Sequence, residues 1–270
     1  MRLKNLLLTG LLAGLIPAVA WAGEQANAPT YGGETGYFTL LTGDTLPQGG
    51  WSFGIHYNNW EPQFRDPFGG KVILSDWDQA NVSVGYGLSD RWELVVSQPY
   101  IWYDYNENRL PGFDNRQSGL GNLHIGTKIR VAGEPGDFST FAINGYVEPS
   151  TGKTGVANSK TGFGGGLDWR LGNWVINGGY SSHRYAFAGV DLADEVTGGI
   201  GYGARLGTRF DWITEVTASH FTKKDLNFKD RYDFTTGGRL WFGDEPRNWA
   251  LSLGLRLDLA QLNQIPDHCP

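Results

Sequence analysis

The sequence predicts an all-β fold, an antiparallel transmembrane β-barrel of about twelve strands. Three observations predict it. Apolar residues alternate with small or charged ones over long stretches. The connections between these stretches alternate between short and long. Aromatic residues stand beside the short connections.

Composition sets the frame. Of 270 residues, 40 are Gly, roughly twice the usual share. Charged residues make up only 19 %, under the roughly 25 % of a soluble domain, while aromatics reach 14 %. With a mean hydropathy of −0.34, the apolar residues do not fall in long blocks, which excludes a bundle of membrane helices. A net charge of −6 argues against a nucleic-acid partner, since phosphate binding calls for a basic surface.

Arg2 and Lys4 precede the apolar run Leu6–Ile16, which is followed by Pro17 and then Ala20, Trp21 and Ala22. A positive start, a short apolar run and a small-residue cleavage site predict a secretory signal peptide over residues 1–22. Export leads to an oxidising compartment, yet Cys269 is the single cysteine, so no disulfide is expected. Residues 23–50 are read as a periplasmic lead-in or an extra strand, and 51–270 as the barrel.

The clearest strand is the last. Trp249, Leu251, Leu253, Leu255, Leu257 and Leu259 share one face, while Ala250, Ser252, Gly254, Arg256 and Asp258 share the other. Its length suits a tilted membrane-spanning strand better than an average soluble one. Similarly, Leu123, Ile125, Thr127, Ile129 and Val131 oppose Asn122, His124, Gly126, Lys128 and Arg130. The pattern places strands near 51–60, 75–88, 91–102, 119–131, 138–148, 161–171, 174–184, 194–206, 209–221, 231–242 and 248–259. The short connections are 89–90, 132–137, 172–173, 207–208 and 243–247. The long ones are 61–74, 103–118, 149–160, 185–193 and 222–230. Short turns on one side and long loops on the other are the plan of a bacterial membrane barrel, with the short turns periplasmic. Trp51, Trp92, Trp174, Phe210, Phe242 and Trp249 flank the short turns, where amphipathic rings collect at the headgroup level. A soluble sandwich also alternates, but it predicts neither feature.

A barrel in lipid must close, and bacterial single-chain barrels close with an even number of strands. Eleven visible strands leave one short. The favoured expectation is a chain truncated at its C-terminus, with the twelfth strand absent. The alternative is that Tyr31–Leu41 forms the extra strand or an inward-folded segment.

With the apolar face assigned to lipid, the other face lists the lumen. Arg91, Arg130, Arg170, Arg205 and Arg209 lie close to periplasmic turns, and Glu93, Lys128, Asp168 and Asp211 lie one inward step higher. Glu148, Glu195, Glu215, Asp233, Arg239, Arg256 and Asp258 complete the set. A basic ring is therefore expected at the periplasmic mouth, under a mostly acidic one. Two readings stay open: a structural ion-pair network filling a narrow lumen, or a selectivity constriction. Lumen glycines are dense (among them Gly85, Gly87, Gly126, Gly164, Gly166, Gly199, Gly201, Gly203 and Gly237). They give either strand coiling and room for arginines, or clearance for a solute.

Catalytic and cofactor signals are weak. Gly152, Lys153 and Thr154 suggest a phosphate loop, but Val147 stands where that pattern needs Gly. His56, His124, His183, His220 and His268 have no metal-ligand spacing. Ser219 and His220 are adjacent on a strand and so face opposite ways. Glu61, Asp66, Asp76 and Asp78 around the first long loop form a solvated rim or a calcium or lipopolysaccharide contact, and Phe64, Phe68, Trp102, Tyr103, Tyr105 and Phe113 an outer girdle or a binding surface. No cofactor, metal or catalytic residue is expected, and the chain is not expected to be an enzyme.

Three stretches carry a resemblance. Gly33–Gly54 (GETGYFTLLTGDTLPQGGWSFG) resembles the opening of the barrel domain of OmpA-type outer-membrane proteins. Ser118–Lys128 (SGLGNLHIGTK), and Glu148–Gly152 with Gly162–Asp168 (EPSTG, GFGGGLD), resemble motifs of the phenol-degradation (meta-pathway) outer-membrane transporter family. Asn122 stands where that family usually has Asp, and no peptidoglycan-binding domain follows as it does in OmpA-type proteins. The resemblance implies a cell-outer-membrane barrel acting as a passive channel or transporter for small solutes, aromatic or hydrophobic ones among them. The alternative is a structural barrel anchoring the envelope through an absent C-terminal peptidoglycan-binding domain. The implied partners are outer-membrane lipid and lipopolysaccharide, a small solute, the barrel-assembly machinery, and peptidoglycan if such a domain exists.

Overall fold

A computed structural model of the chain describes residues 28–60, 63–65, 71–105, 116–153, 156, 160–182, 186–187, 190–191, 194–222, 230–242 and 249–259. The expected signal peptide 1–22, the acids Glu61 and Asp66, the aromatics Phe68 and Phe113, His183, His268 and Cys269 lie outside the described residues. So do the side chains of Phe64, Asp76, Tyr103 and Tyr105.

The described chain is built of strands: β1 Trp51–Trp60, β2 Gln63–Arg65, β3 Lys71–Ser89, β4 Trp92–Tyr105, β5 Arg116–Leu120, β6 His124–Ala132, β7 Ser139–Glu148, β8 Gly162–Leu171, β9 Trp174–Ser182, β10 Ala186–Phe187, β11 Val190–Asp191, β12 Glu195–Leu206, β13 Phe210–Phe221, β14 Arg231–Phe242 and β15 Trp249–Asp258. Thirteen of them form one antiparallel sheet in the order β1-β3-β4-β6-β7-β8-β9-β12-β13-β14-β15, with β2 beside β3 and β5 beside β4. Each strand of that path pairs with its sequence neighbour, the meander that short turns dictate. The eleven segments expected from periodicity are the eleven staves of this wall. Among the described residues, β1 and β15 are the two ends of the ladder and no pairing joins them.

The turns follow local chemistry. Leu171 pairs with Trp174 across a two-residue hairpin, and Gly172 takes the φ of 56° that such a turn demands and that side chains resist. One expected strand is broken. The segment 119–131 is β5 and β6, separated by Gly121–Leu123. Its partner β4 carries Pro99, which has no N–H to donate, so the ladder there falls to single bonds. Gly121 N–H reaches Pro99 O at 2.9 Å, and the Gln98 amide covers Gly121 O at 2.8 Å. The two resembling motifs meet at this break. Gly152 N–H donates to Asn122 Oδ1 at 3.0 Å, and Leu123 N–H donates to Thr151 Oγ1 at 2.9 Å.

The faces sort as the periodicity requires. Phe53, Ile55, Val82, Leu167, Ile200, Leu253 and Leu255 are all exposed, with Ile55 at 84 %. An exposed apolar band of this extent fits lipid rather than water. Near the short turns Trp51 packs on Tyr86 at 4.6 Å and Trp174 on Tyr202 at 4.8 Å, while Trp92 and Trp249 stand exposed. Toward the long-loop end Trp102 packs between Tyr57 and Tyr100, with centroids at 6.1 and 5.7 Å. These are two aromatic girdles flanking the aliphatic band.

The opposite face is not empty. Residues 28–46 fold inward, neither a lead-in outside the barrel nor a stave of its wall. The loop is closed by its own backbone bonds, among them Tyr31 N–H to Phe38 O at 2.8 Å and Gly36 N–H to Ala28 O at 2.9 Å. Gly33 turns it at φ 109°, where a Cβ would lie 2.7 Å from both Ser83 and Val95. In the interior the loop makes an apolar contact of its own: Tyr37 and Leu40 against Val175 and Ile213. The loop touches staves from β1 (Tyr31 against His56) round to β15 (Phe38 over Gly254), so the sheet must curl around it as a barrel.

Candidate functional site

The sequence-predicted lumen residues divide by height. Glu93, Lys128, Arg130, Asp168 and Arg170 are buried inside the wall, as are Glu215, Asp233 and Arg239. Arg205 and Asp211, register partners on β12 and β13, pair at 3.0 Å at the lip of the barrel. Arg91 and Arg209 are in the turns beyond the strands and are exposed, and Arg91 pairs outside with Glu134. The expected basic ring is therefore Arg130 and Arg170 inside, Arg205 at the edge, and two arginines on the rim.

The step above the ring is a set of pairs with the inward loop as third party. Lys128 and Glu93 are direct register partners on β6 and β4, both fully buried, with Nζ and Oε1 3.2 Å apart. Lys128 Nζ also donates to Thr35 O at 2.7 Å and Thr42 O at 3.2 Å. Glu93 accepts Thr35 N–H at 3.0 Å, its hydroxyl at 2.7 Å, and Leu46 N–H at 2.8 Å. On the far wall Glu215 accepts the N–H groups of Phe38, Thr39 and Leu40 at 3.0–3.1 Å. Arg239 donates to Gly36 O and Tyr37 O at 3.2 and 2.8 Å. Arg170 grips Asp44 by two bonds at 2.7 and 3.1 Å. A buried charge is tolerable only when paired and hydrogen-bonded, and the loop supplies what the wall lacks.

Higher in the lumen, wall side chains pair with one another as well as with the loop. His124 places Nε2 3.0 Å from Glu34 of the loop and Nδ1 3.1 Å from Glu148, with Tyr146 against its ring at 4.7 Å. Tyr146 donates to Ser181 at 2.7 Å. Across the barrel Asp233 takes Arg231 at 2.9 Å and also Arg256. Among the described residues no three His, Cys, Asp or Glu side chains group to hold a metal ion. His220, which faces outward, pairs with Asp230 at 2.9 Å. Asp78 of the rim accepts Asn59 Nδ2 at 2.9 Å and the Tyr57 hydroxyl.

Several residues were not legible as site members: Glu34, Thr35, Asp44 and Asn177. The lumen glycines were the available signal. A Cβ at Gly201 or Gly203 would meet Tyr37, and one at Gly199 would meet Leu40, so these glycines make room for the loop.

No protein-family model and no curated protein matches the sequence. Among solved structures the fold is similar to that of an outer membrane channel from Pseudomonas putida F1, with a TM-score of 0.59 and 12 % identity, over 80 % of this chain and 90 % of that one.

Proposed function

We propose that the chain is an outer-membrane β-barrel acting as a passive channel or transporter for small solutes, aromatic or hydrophobic ones included, with no catalytic role. One observation carries this reading: a charged inner face inside an apolar outer face, girdled by aromatics at both ends. The likeness to a protein described as an outer membrane channel supports it. On this reading residues 1–22 direct export, the short turns face the periplasm, and lipid and lipopolysaccharide surround the wall.

The filled lower lumen favours a second reading, a structural barrel of the OmpA type. Single-channel conductance in planar bilayers, with liposome swelling by phenol-sized and sugar-sized solutes, separates the two. A channel gives discrete conductance steps and solute-dependent swelling. A bilayer that stays silent with correctly folded protein, and vesicles that do not swell, remove the channel reading.

A further inference from the structure

The wall holds the inward loop by its main chain. From Thr35 to Thr42, eight consecutive residues each present at least one backbone group to a wall side chain. Glu93 and Lys128 take Thr35, Arg239 takes Gly36 and Tyr37, and Glu215 takes Phe38, Thr39 and Leu40. Lys128 takes Thr42. Asn177 takes both groups of Leu41, Oδ1 accepting its N–H and Nδ2 donating to its C=O, each at 2.8 Å. A side-chain amide paired in both directions mimics a neighbouring strand.

The loop shares no backbone ladder with the wall. Its own backbone bonds close it on itself, and among the described residues backbone bonds to the wall occur only past its end, where Gly49 and Gly50 meet Gly87. The chain leaves the lumen through an exposed turn at Pro47–Gly49, where Gly49 has open space around it. A compact loop docked by side-chain-to-backbone bonds, and joined to β1 through the turn at Pro47–Gly49, has the form of a ligand on a leash.

We propose that the lower lumen is a main-chain receptor for a peptide loop, and that residues 35–42 are its tethered occupant. The class of ligand follows from the chemistry. Buried Glu93, Glu215, Lys128 and Arg239 require donors and acceptors in alternation, which a peptide backbone carries and an apolar solute does not. Side chains add to this main-chain docking: Asp44 through Arg170 and Glu34 through His124 are the charged ones, and Tyr37 and Leu40 pack on Val175 and Ile213. The proposal goes beyond the channel reading and does not depend on it.

The test uses the full chain with a protease site inserted between Gln48 and Gly49. After folding and cleavage, a fluorescent peptide of residues 28–48 is added, and its anisotropy reports binding without any conductance measurement. The expected result is saturable uptake, with the original segment released. Methylating the backbone nitrogens of Phe38, Thr39 and Leu40 in the peptide weakens binding by about 100-fold, the scale of losing hydrogen bonds to a buried charge. Replacing the Phe38 and Leu41 side chains by Ala weakens it by less than about 10-fold. Glu215→Gln in the wall lowers affinity for the unmodified peptide, and if that variant does not fold, the methylated peptide on the unaltered wall still decides. No exchange after cleavage, or equal binding of the methylated peptide, overturns the proposal.

Discussion

At the short-turn end of the lumen, Lys128 and Glu93 are wholly buried and complete their bonding on a loop far away in sequence. At the long-loop end, Asp233 pairs with Arg231 two residues along its own strand and with Arg256 on the next, and both arginines keep part of their surface exposed. The same residue types serve in both places, but their dependence differs. The lower charges are desolvated and need the loop. The upper arginines are partly solvated and find their carboxylate, Asp233, on β14 itself rather than on the loop. Removing a partner should therefore cost far more below than above.

Substitutions grade this contrast, each read as a shift in the urea unfolding midpoint of vesicle-embedded protein, followed by tryptophan fluorescence. Arg170→Glu sets a second carboxylate against Asp44 in a buried pair, and we expect a loss of about 4 kcal/mol or more, or failure to assemble. Glu215→Gln keeps the shape but removes the charge that gathers three N–H groups, and should lose about 2–3 kcal/mol. Asp233→Ala should lose about 1–2 kcal/mol, because water can reach Arg231 and Arg256. If Asp233→Ala costs as much as Arg170→Glu, the two halves are not built differently.

The same contrast explains what the sequence revealed. Every wall strand was legible, because lipid on one face and a lumen on the other impose a period of two on each, as in Trp249–Asp258. The gap at Gly121–Leu123 was not, since its cause, Pro99, lies on the neighbouring strand. Alternation alone put Glu93 and Lys128 at one height and Arg205 a step below Asp211; that each couple are direct partners follows from the register of neighbouring strands, which the spacing did not give. The loop could not be placed by any such rule. Its residues carry no period, and its order comes from contacts such as Leu41 with Asn177 and Tyr37 with Arg239, which no local pattern encodes. An inward fold for Tyr31–Leu41 stood only as an alternative for want of a local signal.

The smallest stability effect belongs to Arg209, and it sharpens the comparison from the other side. Sequence spacing grouped Arg209 with Arg170 in one basic ring, but Arg209 sits exposed in the turn between β12 and β13 while Arg170 is buried on Asp44. Arg209→Glu should leave the unfolding midpoint within about 0.5 kcal/mol, as surface substitutions do. Its effect should instead be electrostatic. A rim charge acts on passing ions through solvent, so reversing it should move the reversal potential of a conducting barrel toward cation preference. That shift should fade between 0.1 M and 1 M salt, as the screening length falls from roughly 10 Å to roughly 3 Å. A selectivity change that persists at high salt would place Arg209 inside the ion path, and no change at low salt would leave the rim arginines without a part in selection.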